Sequence, residues 1–197
     1  MGNLSPTLAF RERLRTETTD VHLRLESRLE IMTRLANPRD RLDILLRFRS
    51  LHDGAERVLS PLLGGMEGLR YAERRKTPYL DADIRTLGGV VAASAPYSPF
   101  TVRSEGEALG LLYVLEGSTL GGRVIFREMT RRGVSSEGLS FFDAYGSDTG
   151  LMWRECLAVL EREAHRGGAD MQDEIVQGAV SGFRQVELWL CGTAAAT

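Results

Sequence analysis

Two short stretches carry residues whose types and spacing could do chemistry. In the first, RTETTDVHLRLE at residues 15–26, His22 precedes Glu26 by four residues, so the two side chains are neighbours if the stretch is helical. A carboxylate that holds one imidazole nitrogen can orient the other toward a metal ion. No second His or Cys stands at ligand spacing, which argues against zinc. From this spacing alone, a surface pair or a satisfied core histidine is the commoner interpretation.

The second stretch is YVLEGSTLGG at residues 113–122, which lies between strong helix formers. A glycine inside such a helix costs about 1 kcal/mol relative to alanine, so the glycines need a reason. With Gly110, the residues Tyr113, Gly117 and Gly121 are spaced by three, four and four and share one helical face. A face this bare lets a flat or bulky group reach the backbone. Close helix–helix packing or a helix bend would explain it as well.

If both stretches served a ligand, one class of ligand would suit them together. A single His facing a bare helix suits a planar tetrapyrrole, whose own nitrogens fill the in-plane positions of the metal. The remaining histidines, His52 and His165, have charged neighbours in the sequence, and we expect both on solvated faces.

Helical periodicity dominates the chain, and no segment shows convincing strand alternation. In the first helix, one face should collect Leu14, Thr18, Val21, Leu25, Leu29 and Met32. Capping and breaking residues predict the following helices: one beginning at Ser5-Pro6, one from Asn37-Pro38 to about Leu59, one over 79–94, the glycine helix from the Ser104–Glu107 capping box to about Arg132 before Gly133, and two over 149–166 and 169–191. The prediction is an all-α fold, a single compact domain over 1–197 with six or seven helices and a frayed end at 192–197.

Composition limits the function classes. The 197 residues are 43% hydrophobic and 26% charged, with a formal net charge of −2 that gives no reason to expect nucleic acid. Cys156 and Cys191 show neither CxxC nor metal-ligand spacing, and we interpret them as reduced thiols. The sequence has no signal-peptide layout and no apolar run near the ~20 residues of a membrane helix. We therefore expect a cytoplasmic protein without a membrane partner.

Both stretches resemble the haem oxygenase family, in particular its bacterial, bacteriophytochrome-associated, biliverdin-producing members. LRTETTDVHLRLE is similar to that family's proximal helix, and LGLLYVLEGSTLGGRVI closely resembles its distal helix. Weaker similarity continues in RRKTPYLDADIRTLG, in FFDAYG followed by Trp153, and in AVSGFRQVELWL. The resemblance covers nearly all of the chain and implies a haem-oxygenase-like fold.

The resemblance also implies roles for residues of both helices. His22 would be the proximal ligand of the haem iron, and Glu26 its hydrogen-bonding partner. Gly117 and Gly121 would be the distal glycines whose backbone lies over the haem. Gly122 would support the bend of the distal helix. Among them, Ser118 stands where animal members carry a distal Asp that organises water, an acid that bacterial members often lack.

Further residues match positions at the edge of the haem in relatives. Arg15 and Tyr113 match positions that contact the propionates, and Arg154 is a weaker match of the same kind. Phe183 matches a C-terminal aromatic residue that closes the pocket. The implied reaction takes haem b as substrate and cofactor and cleaves it at a meso carbon with O2 and electrons. Its products are biliverdin, CO and ferrous iron.

The implied partners follow from that reaction. No flavin or nicotinamide motif is present, so the electrons would come from a ferredoxin or a flavoprotein reductase. Biliverdin could pass to a bacteriophytochrome. Ser118 keeps one alternative open: a protein on the same fold that stores or senses haem without turning it over. A helical module without haem is a second alternative.

Overall fold

A computed structural model describes residues 6–91 and 100–192. Within these ranges the chain forms six α-helices and three short 3-10 helices, and no strand. The α-helices are α1 Pro6–Leu29, α2 Ile31–Ala36, α3 Pro38–Leu63, α4 Thr77–Thr86, α5 Glu105–Arg131 and α6 Thr149–Cys191, and the 3-10 helices are Tyr71–Arg74, Ser140–Asp143 and Gly146–Asp148. The all-α prediction is confirmed. The Ser5 cap and residues 193–197 of the end that was expected to fray lie outside the described residues, and the domain bounds remain a prediction.

Several helix ends follow from capping residues read in the sequence. The side chain of Asn37 accepts a hydrogen bond from the Arg39 amide at 3.0 Å, which begins α3. The Ser104 hydroxyl accepts from the Glu107 amide at 3.1 Å and begins α5. Gly133, at φ 74°, follows the end of α5, because only glycine takes that conformation without strain. These capping predictions are confirmed.

Other helix bounds were predicted wrongly. The helix expected to end near Leu59 continues through Pro61 to Leu63, because a proline in the last turn costs only one backbone hydrogen bond. The helix expected over 79–94 is α4, which ends at Thr86 before Gly88 turns the chain at φ 76°.

Two breaks between helices can be compared with the prediction. Glu30 adopts a left-handed conformation at φ 45° and separates α1 from α2, so Met32 does not continue the stripe of the first helix. The two helices expected over 149–166 and 169–191 form one element, α6, which Gly168 interrupts at φ 66° and ψ −151°. The break is therefore where it was expected.

The second half of α6 carries both helices that were singled out in the sequence. In the contacts with α6, residue numbers increase in the same direction on both partners. For α5 the neighbouring pairs are Gly106–Glu174, Gly110–Ala179 and Val114–Gly182. For α1 they are Arg13–Asp173, His22–Phe183 and Arg24–Glu187. Helices α1 and α5 therefore run in the same direction on α6. His22 is level with Phe183 and Val114 with Gly182, so the glycines that follow Val114 begin near the height of His22.

Helix α5 lies in the core. Among the described residues, it is the one helix long and apolar enough to cross a membrane by length and composition. Core helices meet the same criterion, and residues of α5 belong to the hydrophobic core together with residues of α1, α3, α4 and α6. We therefore interpret α5 as a core helix.

Candidate functional site

Helix α1 presents His22 and Glu26 on one exposed flank. The stripe beside them, Leu14, Thr18, Val21 and Leu25, is buried as predicted. The side chains of His22 and Glu26 are 51% and 61% exposed, and His22 Nε2 lies 3.2 Å from Glu26 Oε1. The predicted i,i+4 pair is therefore formed, on a face that remains open to a ligand.

The nitrogen of His22 that contacts Glu26 is Nε2. One imidazole nitrogen cannot at the same time bind a metal and hydrogen-bond a carboxylate. Iron binding through Nε2 would therefore require Glu26 to leave this nitrogen or to pass to Nδ1. In the ligand-free arrangement, Glu26 contacts Nε2, and it does not orient the imidazole through Nδ1.

Phe183 of α6 packs beside His22. The two ring centroids are 5.1 Å apart, with the planes tilted by 34°, and Phe183 is 7% exposed. A buried ring on one side and an exposed edge on the other limit the directions in which the imidazole can face. The structure thus brings together two residues that lie far apart in the sequence and were predicted for the same pocket.

The glycine stripe of α5 divides into two parts with different surroundings. A Cβ on Gly110 would lie 2.2 Å from the carbonyl oxygen of Ile175, and one on Gly178 would lie 2.5 Å from that of Glu107. Gly110 therefore allows α5 and α6 to approach each other closely. For this residue the packing explanation is the correct one.

Gly117 and Gly121 do not serve that purpose. A Cβ on Gly121 would meet nothing within 4 Å, and one on Gly117 would only make ordinary contact with the Trp153 ring at 3.5 Å. Leu120 and Val124 flank this part of the helix and are 38% and 67% exposed, although both are apolar. No packing requirement within the described residues explains these two glycines, and the bare backbone fits a flat apolar ligand.

Gly122 turns to the other side of α5. It is buried, and a Cβ there would lie 3.0 Å from the backbone oxygen of Phe142. Gly122 thus allows the 3-10 helix Ser140–Asp143 to pack under α5. The predicted role of Gly122 in the bend of α5 remains a prediction.

Ser118 offers no acid to the exposed side. Its hydroxyl donates a hydrogen bond to the Leu115 carbonyl oxygen at 2.7 Å, one turn back along α5. The residue is exposed. Any proton delivered near Gly117 and Gly121 must therefore come from solvent or from a more distant group.

Tyr113 links α5 to α1. Burial raises the pKa of its hydroxyl, while a hydrogen bond with Thr18 and the charge of Arg15 act in the opposite direction, so both residues lie close to it. Its ring also packs against the ring of Trp153, with the centroids 5.4 Å apart and the planes tilted by 46°. Arg15 is exposed and forms no ion pair with the described residues. Arg15 and Tyr113 are thus neighbours that can donate to the same anion.

Arg154 directly follows Trp153, whose ring contacts Tyr113 and lies beside Gly117. It is exposed on α6, where its Nη1 lies 3.5 Å from the position of a Cβ on Gly150. The structure does not join it to Arg15 and Tyr113, and its predicted contact with the ligand remains a prediction.

Sequence reasoning missed a buried ion cluster behind Gly117. Glu116 is 2% exposed and pairs with Arg74, and its Oε1 lies 3.2 Å from Lys76 Nζ and 2.8 Å from the Tyr145 hydroxyl. Burial lowers the pKa of Lys76, and burial and the charge of Glu116 raise the pKa of Tyr145. The signal in the sequence was a single acid within the apolar run LGLLYVLEG.

The cluster borders a cavity of about 20 Å³, whose lining includes His52, Glu56 and Tyr71. That volume holds one water molecule. His52 is 4% exposed, so the expectation that it is solvated was wrong, whereas His165 is exposed as expected. A second cavity of about 160 Å³ lies between the first turns of α5 and the second half of α6. Neither cavity is lined by His22 or Gly121.

Among the residues that the structure describes, no group of three or more His, Cys, Asp or Glu side chains could hold a metal ion. A metal at His22 would thus need its other ligands from a prosthetic group or from water. The residues fit such a group. The His22 imidazole is exposed, and the backbone at Gly121 has open space beside it. Arg15 and Tyr113 are neighbours that can donate hydrogen bonds to carboxylates.

Comparisons with known proteins agree with this interpretation. No family model matches the chain. A curated "Heme oxygenase" from Xanthomonas campestris pv. campestris (strain 8004) is 34% identical over 152 residues, which are 77% of this chain and 88% of the relative. The fold is that of the heme oxygenase from Neisseria meningitidis solved with NO and CO bound, with a TM-score of 0.75, 22% identity, and 95% and 94% of the two chains covered.

Proposed function

The chain belongs to the haem oxygenase family, and we propose that it holds haem b between His22 on α1 and the open glycine face of α5. As a haem oxygenase it degrades haem, with O2 and electrons supplied from outside. The products that follow for this family are biliverdin, CO and ferrous iron. One observation carries the proposed placement: Gly117 and Gly121 lack the packing contacts that explain Gly110.

His22 binds the haem iron through its imidazole. Phe183, whose ring lies 5.1 Å away, limits the rotation of the imidazole and keeps water from its buried side. With iron on Nε2, Glu26 would have to leave that nitrogen, and it would then orient the imidazole by accepting a hydrogen bond from Nδ1.

The face of α5 performs a different task. The bare backbone at Gly117 and Gly121 would let the haem approach α5, and water held in the pocket would supply the protons. Ser118 donates to Leu115 and supplies no acid. A close helix surface also restricts which edge of the macrocycle is accessible, and so the site of ring opening.

Arg15 and Tyr113 bind the haem propionates. Arg15 has no competing ion pair within the described residues, and a guanidinium binds a carboxylate through two parallel hydrogen bonds. Anchoring the propionates fixes the rotation of the haem in its plane. Arg154 is the weaker candidate for the same task.

The partners follow from the reaction. Haem oxygenases receive their electrons from external donors, and we propose a ferredoxin or a flavoprotein reductase for this protein. A bacteriophytochrome that takes up biliverdin is the proposed acceptor of the product. Both are proposals for a cytoplasmic protein.

A single-turnover experiment tests the activity. The haem-loaded protein, given reductant and O2 with catalase present, should lose its Soret band and develop the absorption of biliverdin. Catalase removes free peroxide, so haem loss through unspecific oxidation would be suppressed. An unchanged Soret band would support haem binding without turnover, the candidate that the position of the Ser118 hydroxyl favours.

A further inference from the structure

Glu187 is a buried carboxylate of α6 that two arginines of α1 hold. Its side chain is 6% exposed and accepts from Arg24 Nε at 2.8 Å and Nη2 at 2.6 Å, and from Arg28 Nη1 at 2.7 Å. The hydrogen bond from Arg24 is the main cause that lowers the pKa of Glu187, so the group is a carboxylate at neutral pH. We call these three residues the Glu187 clamp.

The clamp lies directly beside the proposed haem ligand. Arg24 follows His22 by two residues on α1, and Glu187 follows Phe183 by one turn on α6. On each helix, the residue of the His22–Phe183 contact is therefore followed within two turns by the clamp residues of that helix. A shift of α1 along α6 would change both contacts together.

Apolar packing alone would not fix α1 so tightly. Apolar side chains tolerate small sliding movements, whereas a guanidinium fork on a carboxylate sets both distance and orientation. Arg28 also donates from Nη2 to the Gly192 carbonyl oxygen at 3.1 Å, which ties the end of α1 to the end of α6. The register of the two helices is therefore fixed between His22 and the C-terminal end of α1.

We propose that Glu187 is a positioning residue for the haem ligand: through Arg24 and Arg28 it sets the register of α1 on α6, and with it the direction in which the His22 imidazole meets the iron. The proposal rests on the proposed function, in which His22 binds haem iron. Glu187 does not touch the haem itself, so its effect is transmitted by α1.

The test compares Glu187→Gln with Glu163→Gln. Glu163 is a matched control, because it is equally buried and also held by two arginines, Arg162 at 2.8 Å and Arg166 at 2.6 Å, both on its own helix. Each variant is measured by haemin titration, thermal unfolding and resonance Raman spectroscopy of the ferrous complex, which reports the iron–histidine stretching band.

We expect Glu187→Gln to weaken haemin binding by about 10-fold or more, the usual effect of losing support for a metal ligand, and to shift or broaden the iron–histidine band. Glu163→Gln should lower the unfolding temperature by a similar amount and leave both haem readouts as in the wild type. A Glu187→Gln protein with the wild-type band and affinity would overturn the proposal.

Two further proteins keep the test decisive. Arg24→Gln removes one half of the clamp at a side chain that is 52% exposed, and it should shift the band in the same direction by less, even if Glu187→Gln does not fold. A wild-type band in Arg24→Gln would also contradict the clamp. If the wild-type complex shows no iron–histidine band, or if His22→Ala leaves that band unchanged, then His22 is not the iron ligand. That outcome is distinguishable from failure of the clamp alone, in which the band depends on His22 but not on Glu187.

Discussion

The imidazole of His22 and the ring of Phe183 pack with their centroids 5.1 Å apart, although the residues belong to opposite ends of the chain. Phe183→Ala should destabilise the protein by about 3–5 kcal/mol, because it removes a buried ring. It should also speed the release of haem. The control is Phe10→Ala on α1, which is 3% exposed and three turns from His22. It should cost similar stability, measured by chemical denaturation, without changing haem release into apomyoglobin.

The two parts of the glycine stripe should respond oppositely to alanine. Gly121→Ala should stabilise the ligand-free protein by up to about 1 kcal/mol, since a Cβ there meets open space and alanine favours a helix. The same methyl group should weaken haemin binding by about 1–3 kcal/mol through overlap with the ligand.

Gly110→Ala is the matched variant. Its Cβ would lie 2.2 Å from a backbone oxygen of α6, so it should destabilise the ligand-free protein by about 3 kcal/mol or more. Thermal unfolding and haemin titration of both variants decide the matter. Unchanged haemin affinity in a stabilised Gly121→Ala protein would exclude α5 as the haem-facing helix.

How much of the site was predictable is best seen on α5. Spacing placed Gly110, Gly117 and Gly121 on one face, and the Ser104 cap set where the helix begins. Spacing could not tell which glycine meets a neighbouring helix, because that depends on where α6 crosses. Because α6 crosses α5 at Gly110 and Gly178, Gly110 serves helix packing, whereas Gly117 and Gly121 have no close contact with a neighbouring helix in the described part of the chain.

The buried cluster shows a second limit of the sequence. Glu116 was recognisable as a lone acid in an apolar run, but its partners Arg74, Lys76 and Tyr145 lie in two distant segments whose pairing no local pattern encodes. The same holds for His52, where charged neighbours in the sequence suggested solvent and the tertiary fold buries the ring. Local signals predicted helix caps well and long-range polar contacts poorly.

Removal of the Glu116 charge should be costly. Glu116→Gln would leave Arg74 and Lys76 buried with reduced compensation, and we expect a loss of about 3–5 kcal/mol in the free energy of unfolding. Urea denaturation measures it. Glu73→Gln, which removes an exposed partner of Arg70, should cause no measurable change. Equal stability of the two variants would contradict a role for the cluster in holding α5.

Stability should depend on pH through His52. Burial first, and then the charge of Lys76, lower the pKa of His52 from 6.5 to about 3. Between these values the unfolded chain binds a proton that the folded protein does not. The stability that the neutral, buried His52 contributes is therefore fully present above pH 6.5, and it is lost as the pH falls from 6.5 toward 3.

The slope for one such proton is at most about 1.4 kcal/mol per pH unit. His52→Gln should remove up to this amount from the pH dependence of the unfolding free energy between about pH 6 and pH 4. The exposed His165→Gln should leave the slope unchanged. If His52→Gln retains the wild-type slope, another group is responsible for it.

The central claim, that His22 binds the iron of a haem lying against α5, is tested most directly by the absorption spectrum of the ferric haem complex of His22→Ala, recorded with and without added imidazole. We predict that the variant loses the wild-type axial-ligand spectrum, that imidazole restores it, and that His165→Ala retains it throughout. A His22→Ala complex with the wild-type spectrum in the absence of imidazole would contradict the account.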